Sequence, residues 1–286
     1  LQEVSMTAVI ALLLVLGSLS GCAGDTMLNV RNALPDAGVG PVYVVQLQNW
    51  VDSVQNPEGE TIVEYDCQVP VLSVVDGDGL PASGKSPEER LALERAAVFN
   101  AQFDQWREVG GNMDVLAEDA ETFKEAFGFS AVMSETLSCS VYQSDHFISV
   151  SGVYLSYTGG LHSNTMLMSW NFDLETGSFF DPQLLGSKSD LQTAVYDELV
   201  RQAESVAAEH QLSPEAFFWP DYTDILQNWS SYAVSFDHSG MTVGFSPYEL
   251  ACYAAGPQKF HIPYDVLLPH LDRDACLFLG ISAETA

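Results

Sequence analysis

The chain has 286 residues, 47% of them hydrophobic and 11% aromatic, which is enough apolar matter for one large domain or two small ones and too much for a disordered segment. It carries 39 Asp and Glu against 10 Lys and Arg, a formal net charge of −29. A surface this acidic excludes nucleic-acid binding, which needs a basic face to displace counterions from phosphates; it repels anionic membranes and wall polymers and attracts a cationic partner.

The first apolar stretch, AVIALLLVL from Ala8 to Leu16, is too short to span a bilayer and fits the hydrophobic region of a secretory signal. The preceding LQEVSMT holds no Lys or Arg, a departure from the usual signal pattern. LSGC, Leu19 to Cys22, resembles the bacterial lipobox. The resemblance implies cleavage before Cys22 and a lipidated sulfur, and so an exported protein anchored at the outer face of the bacterial cytoplasmic membrane. Residues 1–22 are therefore expected to form a lipoprotein signal peptide. Residues 23–41, ending in the Pro- and Gly-rich NALPDAGVGP, are expected to be a flexible tether.

PVYVVQLQNWV from Pro41 and TIVEYDCQVPVLSVV from Thr61 read as strands, the second bent at Pro70. DGDGLPASGK, Asp76 to Lys85, reads as a turn; its two aspartates resemble a calcium loop, but Leu80 stands where the fifth-position ligand belongs. SGKS, Ser83 to Ser86, lacks the rest of a Ser-Lys catalytic motif. A helix starts at Ser86 as N-cap, with Pro87 at N1 and Glu89 completing a capping box. Its stripe runs Ala92, Ala96, Phe99, Phe103, Trp106, and Gly110 and Gly111 are expected to end it. A second, acidic helix is expected from about Asp114 to Phe127.

ETLSCSVYQ and DHFISVSGVYLSY read as a strand pair joined by a tight polar turn. After the glycine loop SYTGGLHSN, Met166, Met168, Trp170 and Phe172 alternate as on a sheet with one buried face, and Asp173 to Gly177 turns the chain. A helix follows, capped by Ser189 with Gln192 at N3, its stripe built on Leu191, Ala194, Val195, Leu199, Ala203 and Val206. A short helix and an aromatic loop lead to a hairpin, Tyr232 to Phe236 and Met241 to Phe245, with Gly240 placed for positive φ. PQKFHIPY adds a strand and DVLLPHL a final short helix. Strands and helices mix without a βαβ rhythm, which predicts an α+β fold: a largely antiparallel sheet with helices packed on it, in two sequential subdomains.

In an exported chain, Cys67, Cys139, Cys252 and Cys276 remain once Cys22 is lipidated, and four cysteines allow three pairings. Cys67 and Cys139 lie on apolar strand faces in one half and the other two in the second half, so Cys67–Cys139 and Cys252–Cys276 disulfides are expected. Free buried thiols are the alternative. No C-x-x-C pair points to zinc or to a thioredoxin-like site, and no motif calls for a cofactor.

Three segments, in order, carry a family resemblance: YTGGLHSN (Tyr157–Asn164), WNFDLETGSFFDPQLL (Trp170–Leu185) and VGFSPYELACYAAGPQKFHIPY (Val243–Tyr264). Together they resemble the domain of unknown function at the C terminus of RsiV-type anti-sigma factors, also found in PdaC-type peptidoglycan deacetylases outside their catalytic domain. Leu161 replaces the usual alanine of the loop. Residues 158–286 match that domain, and residues 42–157 resemble the small partner domain that precedes it, with the Asp114–Phe127 helix as an insertion. The resemblance implies an extracytoplasmic envelope module and, in the anti-sigma branch, binding of lysozyme, a cationic protein.

The glycine loop decides between readings. Gly159 and Gly160 permit backbone angles closed to other residues, and Tyr157, Thr158, His162 and Asn164, with Tyr248, Glu249 and Tyr253 from the third segment, can form a recognition surface. The alternative is a shaped connection between strands. The expected function is a binding module for a wall-associated ligand, either a lysozyme-like cationic protein or a peptidoglycan fragment. A glycan-acting enzyme using carboxylates near His162, and a structural envelope protein, are the alternatives.

Overall fold

The computed structural model describes residues 40–185 and 188–281; the expected signal peptide, Cys22 and the tether up to Val39 lie outside them. The elements are β1 (Val42–Gln55), β2 (Thr61–Val75), α1 (Pro87–Ala101), α2 (Val109–Phe127), β3 (Met133–Gln143), β4 (Phe147–Tyr157), β5 (Asn164–Asp173), β6 (Ser178–Phe179), α3 (Lys188–Glu209), α4 (Pro214–Phe217), α5 (Tyr222–Gln227), β7 (Ala233–Phe236), β8 (Gly240–Phe245), β9 (Gln258–Pro263), α6 (Tyr264–Leu267) and α7 (Arg273–Leu279). The architecture is α+β. A six-stranded sheet runs in the order β1-β2-β3-β4-β5-β6, and a three-stranded antiparallel sheet in the order β7-β8-β9. From β3 to β6 the large sheet is antiparallel, while β2 and β3 pair in parallel because the helices between them carry the chain back to the same end. Among the described residues, no helix is long and apolar enough to cross a membrane.

The chain divides into two compact units. The smaller takes the described residues up to Gln46 and Val71–Gln102, the larger Leu47–Pro70 and everything from Phe103 onward. In the smaller unit, α1 begins as the sequence predicts: the Ser86 side chain accepts the Glu89 amide at 3.0 Å and Pro87 needs no partner for its nitrogen. The capping box is displaced by one residue, since the Glu89 carboxylate accepts the Lys85 amide at 3.0 Å instead of reaching Ser86. Asn100 ties the helix to β2 by bonding both the amide and the carbonyl of Leu72 at 2.8 Å.

Gly110 and Gly111 do not end this helix. It stops at Ala101, and the two glycines lie in the first turn of α2, where amides have no intrahelical acceptor to lose. Phe103 and Trp106 continue the stripe in sequence but belong to the larger unit, where each packs edge-on against Trp170.

In the larger unit, strand parity sorts the side chains of β3 to β5 onto two covered faces. On one face lie Ile148, Val150 and Trp170. On the other, Ser149 donates to the Asn171 side-chain oxygen Oδ1 at 2.8 Å and accepts the Phe236 amide at 2.8 Å, and Asn171 Nδ2 donates to the Val234 carbonyl at 2.8 Å. Asn171 is buried although it opposes the predicted apolar face, because the small sheet covers that side. The main core sits between that small sheet and α3, whose Leu191, Val195, Leu199, Ala203 and Ala207 are all buried, together with Trp229, Phe245 and Phe260. The helix begins at Lys188, one residue before its predicted cap.

Two further differences have physical causes. Gly240 does not adopt positive φ; it is required because a Cβ there would lie 2.2 Å from the Ile262 carbonyl oxygen across the β8–β9 ladder. The chain also forms a helix, α7, beyond the one predicted last, with Asp272 accepting the Ala275 amide at 2.8 Å and Gly280 as left-handed stop.

The expected disulfides are absent. Cys67, Cys139 and Cys276 are buried free thiols and Cys252 is an exposed one. Cys67 faces Leu137 in the parallel register, which leaves Cys139 one pair further along the same face. Burial pushes both thiols up to about 12, so they behave as small core hydrophobes.

Candidate functional site

The loop Tyr157–Asn164 joins β4 to β5, and these strands remain paired up to Ser156 and Asn164 at its foot. Gly159 and Gly160 take φ of +98° and +118°, backbone that a residue with a Cβ rarely adopts. Within the loop, the Tyr157 hydroxyl donates to the Gly160 carbonyl at 3.1 Å. Leu161, at the tip, is fully exposed. Thr158 and Asn164 are exposed beside it.

The loop is held from two sides. The Tyr253 hydroxyl donates to the Ser163 carbonyl at 3.0 Å, and its ring stacks on His162 with centroids 3.7 Å apart. Tyr248 stands next to both: its hydroxyl lies 3.5 Å from His162 Nε2 and its ring 5.7 Å from that of Tyr253. Tyr248 is itself strained, at φ +72°. Its turn keeps that conformation through the Tyr248 amide on the Ala251 carbonyl at 2.9 Å, the Trp219 indole N–H on the Tyr248 carbonyl at 3.0 Å, and the Glu249 carboxylate on the Ser246 amide. On the opposite side, the Phe123 ring of α2 lies against Gly159, so close that a Cβ there would be 2.4 Å from Phe123 Cδ2. Phe123 in turn packs on Phe127 and Phe129 at 4.6 and 5.3 Å between centroids.

The structure thus places Tyr157, Gly159, Gly160, His162, Tyr248 and Tyr253 side by side, and sets Phe123, Phe127, Phe129 and Leu161 next to them. Of these, Phe127, Phe129 and Tyr248 are 64%, 59% and 57% exposed. Apolar and aromatic groups left in water together make this loop the candidate interaction surface. His162 bonds Tyr248 and the Ser163 carbonyl, and no carboxylate is hydrogen-bonded to it among the described residues, so the loop does not present an oriented acid–base pair.

A second feature lies under the start of α2, about 16 Å of helix away from the Phe123 end. Glu135, Tyr154, Met166 and Met168 share one face of the large sheet, and Gln105, Trp106 and Asn112 wall them in around a cavity of about 250 Å³. Asn112 donates to the Tyr65 hydroxyl at 3.1 Å and to the Gln105 carbonyl at 2.9 Å, and Tyr65 donates to the Trp106 carbonyl at 2.8 Å. Tyr154 is the diagonal neighbour of Glu135 on the next strand, and its hydroxyl acts on the carboxylate. Burial holds the Glu135 carboxyl above the usual carboxylate range, and the tyrosine hydroxyl only partly offsets it. Burial first, then the Glu135 charge, push the Tyr154 phenol up to about 12.

This has a pH signature. A carboxyl whose folded-state pKa exceeds its unfolded value adds stability that is fully present below the unfolded value and is lost as pH rises through the folded one. Glu135→Gln keeps an acceptor for Tyr154 and removes the charge. Its melting temperature is expected to exceed that of the native chain at pH 7, with the gap closing at roughly pH 4, near the value of a free glutamate. Thermal denaturation from pH 4 to 8 measures it, and a gap independent of pH would remove Glu135 as its source.

The larger cavity, about 290 Å³ between the two sheets, is lined by Ser149, Ser151, Asp237 and Lys259 among others. Ser149 bonds across the sheet junction, and Asp237 accepts from the Ser239 hydroxyl and amide, so these groups serve the fold.

Comparison with known proteins finds a partial likeness to a family without an assigned function. A model described as "Protein of unknown function (DUF3298)" matches residues 178–265. No curated protein matches the chain. A crystal structure of a DUF3298 family member from Bacteroides fragilis aligns with a TM-score of 0.52 at 14% identity, covering 82% of this chain and 96% of that one. A DUF3298 family protein from Pseudomonas aeruginosa PAO1 aligns with a TM-score of 0.44 at 16% identity, covering 81% and 96%. The first shows a shared fold.

Proposed function

We propose that this chain is an extracytoplasmic binding module, anchored through Cys22, that captures a cationic wall-associated protein such as lysozyme on the loop Tyr157–Asn164 and the aromatic side chains around it. One observation carries the reading: a fully exposed Leu161 at the tip of a loop gripped by Tyr253 and Phe123, beside a strained and exposed Tyr248. Rigid aromatic and aliphatic anchors of this kind supply most of the energy of protein interfaces. The net charge of −29 supports a cationic partner, because complementary charge raises the rate of encounter. The resemblance of the three segments to the RsiV-type domain supports lysozyme in particular, and the DUF3298 match at 178–265 lies within the stretch that carries it.

The test is titration of the purified chain against lysozyme at physiological salt, with an unrelated basic protein of similar charge as control. Saturable binding to lysozyme alone is expected, weakened by salt without being abolished. Leu161→Asp and Tyr248→Ala are each expected to weaken it by roughly 30-fold or more, the size of an anchor truncation, with the melting temperature retained. Equal binding of both proteins reduces the interaction to charge. Binding of neither, with saturation by a muropeptide or turnover of peptidoglycan, moves the function to wall glycan.

A further inference from the structure

We propose that the Glu135 pocket is a receptor for a primary ammonium group, the end of a lysine side chain presented by a basic partner. The argument begins with an unbalanced charge. Glu135 is drawn out of water into a cavity of about 250 Å³, and no Lys, Arg or His pairs with it among the described residues, whereas Asp104 and Glu198 pair with Arg107 and Arg201. A carboxylate held in a concave, half-dry site without a cation is costly, and sites that carry such a cost are typically sites of recognition.

The walls select the ligand. Tyr154 lines the same cavity beside the carboxylate and crowds one side of it, so a planar guanidinium, which needs both oxygens side by side, fits less well than a compact ammonium with three freely rotating donors. Trp106 adds an aromatic wall to the cavity, and Met166 and Met168 offer soft apolar contacts to a four-carbon stem. One carboxylate is too few for a hard metal ion, and no group of three or more potential metal-binding side chains occurs among the described residues.

The site rests on the cationic-partner reading only for the source of the amine, and a free ligand tests it alone. Nα-acetyl-lysine methylamide is titrated into the full chain, followed by calorimetry and by tryptophan fluorescence. Saturable millimolar binding is expected, lost with the neutral norleucine analogue and weakened at least ~10-fold in Glu135→Gln. Tyr154→Phe, which removes the hydroxyl from that side, is expected to bring the arginine analogue closer to the lysine one. Equal binding of lysine and norleucine analogues, or an unchanged response in Glu135→Gln with its fold intact by circular dichroism, overturns the ammonium site. An arginine analogue that binds the native chain more tightly than lysine overturns the choice of ammonium. If lysozyme fails to bind while the lysine analogue binds, the pocket stands and the protein partner does not.

Discussion

Truncating Trp229 to alanine is expected to cost about 3–5 kcal/mol of unfolding free energy, the largest single-residue loss in the fold, read as a shift of the denaturation midpoint without a change of slope. Trp229 lies in a short 3-10 turn after α5, is fully buried, and belongs to the core shared by α3 and the small sheet. Removing an indole there opens a cavity among Val234, Phe245 and other side chains fixed by strand pairing, which cannot collapse inward. Trp229→Phe is expected to cost less than half as much. The indole N–H finds no hydrogen-bond acceptor among the described residues, and burying such a donor costs about 1–3 kcal/mol, which phenylalanine recovers against its smaller volume. Trp219→Phe behaves differently: its indole N–H holds the Tyr248 carbonyl, so this change is expected to loosen the Tyr248 turn and lower ligand affinity with little effect on the core. Equal losses for Trp229→Phe and Trp229→Ala would mean that the indole N–H is satisfied and that the account of this core is wrong.

Periodicity made most of the fold legible. The alternation of Val63, Tyr65, Cys67 and Val69, and of Leu137, Cys139 and Val141, reports strands because a side chain on a pleated backbone changes face at every residue. Ser86 and Pro87 mark the start of α1 because both satisfy a local need of the backbone. Signals with two local meanings failed. A glycine pair reads as a helix stop, yet Gly110 and Gly111 open α2, and what ended α1 was the burial of Phe103 and Trp106 in the other unit, a tertiary event. Gly240 reads as a positive-φ turn residue, yet it takes no such angle and is required by a close backbone approach across β8 and β9, which leaves no mark in the local sequence. Shared apolar faces suggested disulfides, but parallel register decides which residue stands opposite Cys67, and it is Leu137.

The site divides in the same way. Tyr157, Gly159, Gly160 and His162 are contiguous and stood out as a glycine loop. Phe123, Phe127 and Phe129 did not, because the first two belong to a helix that reads as an insertion and the third follows its end, and only folding brings that end to the loop. Glu135 lies in a strand whose alternation is ordinary; its chemistry comes from Tyr154 on the next strand and from Trp106 and Asn112, which no local spacing connects. The helix that looked peripheral thus closes the pocket at one end and supports the loop at the other.

That double role gives the second large effect. Gly159→Ala is expected to destabilise the chain by about 1–3 kcal/mol through overlap with Phe123, with a further cost of about 1–3 kcal/mol for a side chain at φ +98°, and to weaken the proposed binding at the loop by displacing Leu161. Gly160→Ala separates the two contributions. Its φ of +118° is equally unfavourable, but a Cβ there meets nothing within 4 Å, so the expected loss is the backbone cost alone. A double-mutant cycle with Phe123→Ala completes the argument. In that background the overlap is gone, and Gly159→Ala should cost no more than Gly160→Ala. Phe123→Ala alone should leave Phe127 and Phe129 without their shared neighbour and weaken ligand binding while Gly159 keeps its conformation. If the cost of Gly159→Ala is the same with and without Phe123, the loop does not lean on α2, and the aromatic cluster has no part in positioning Leu161.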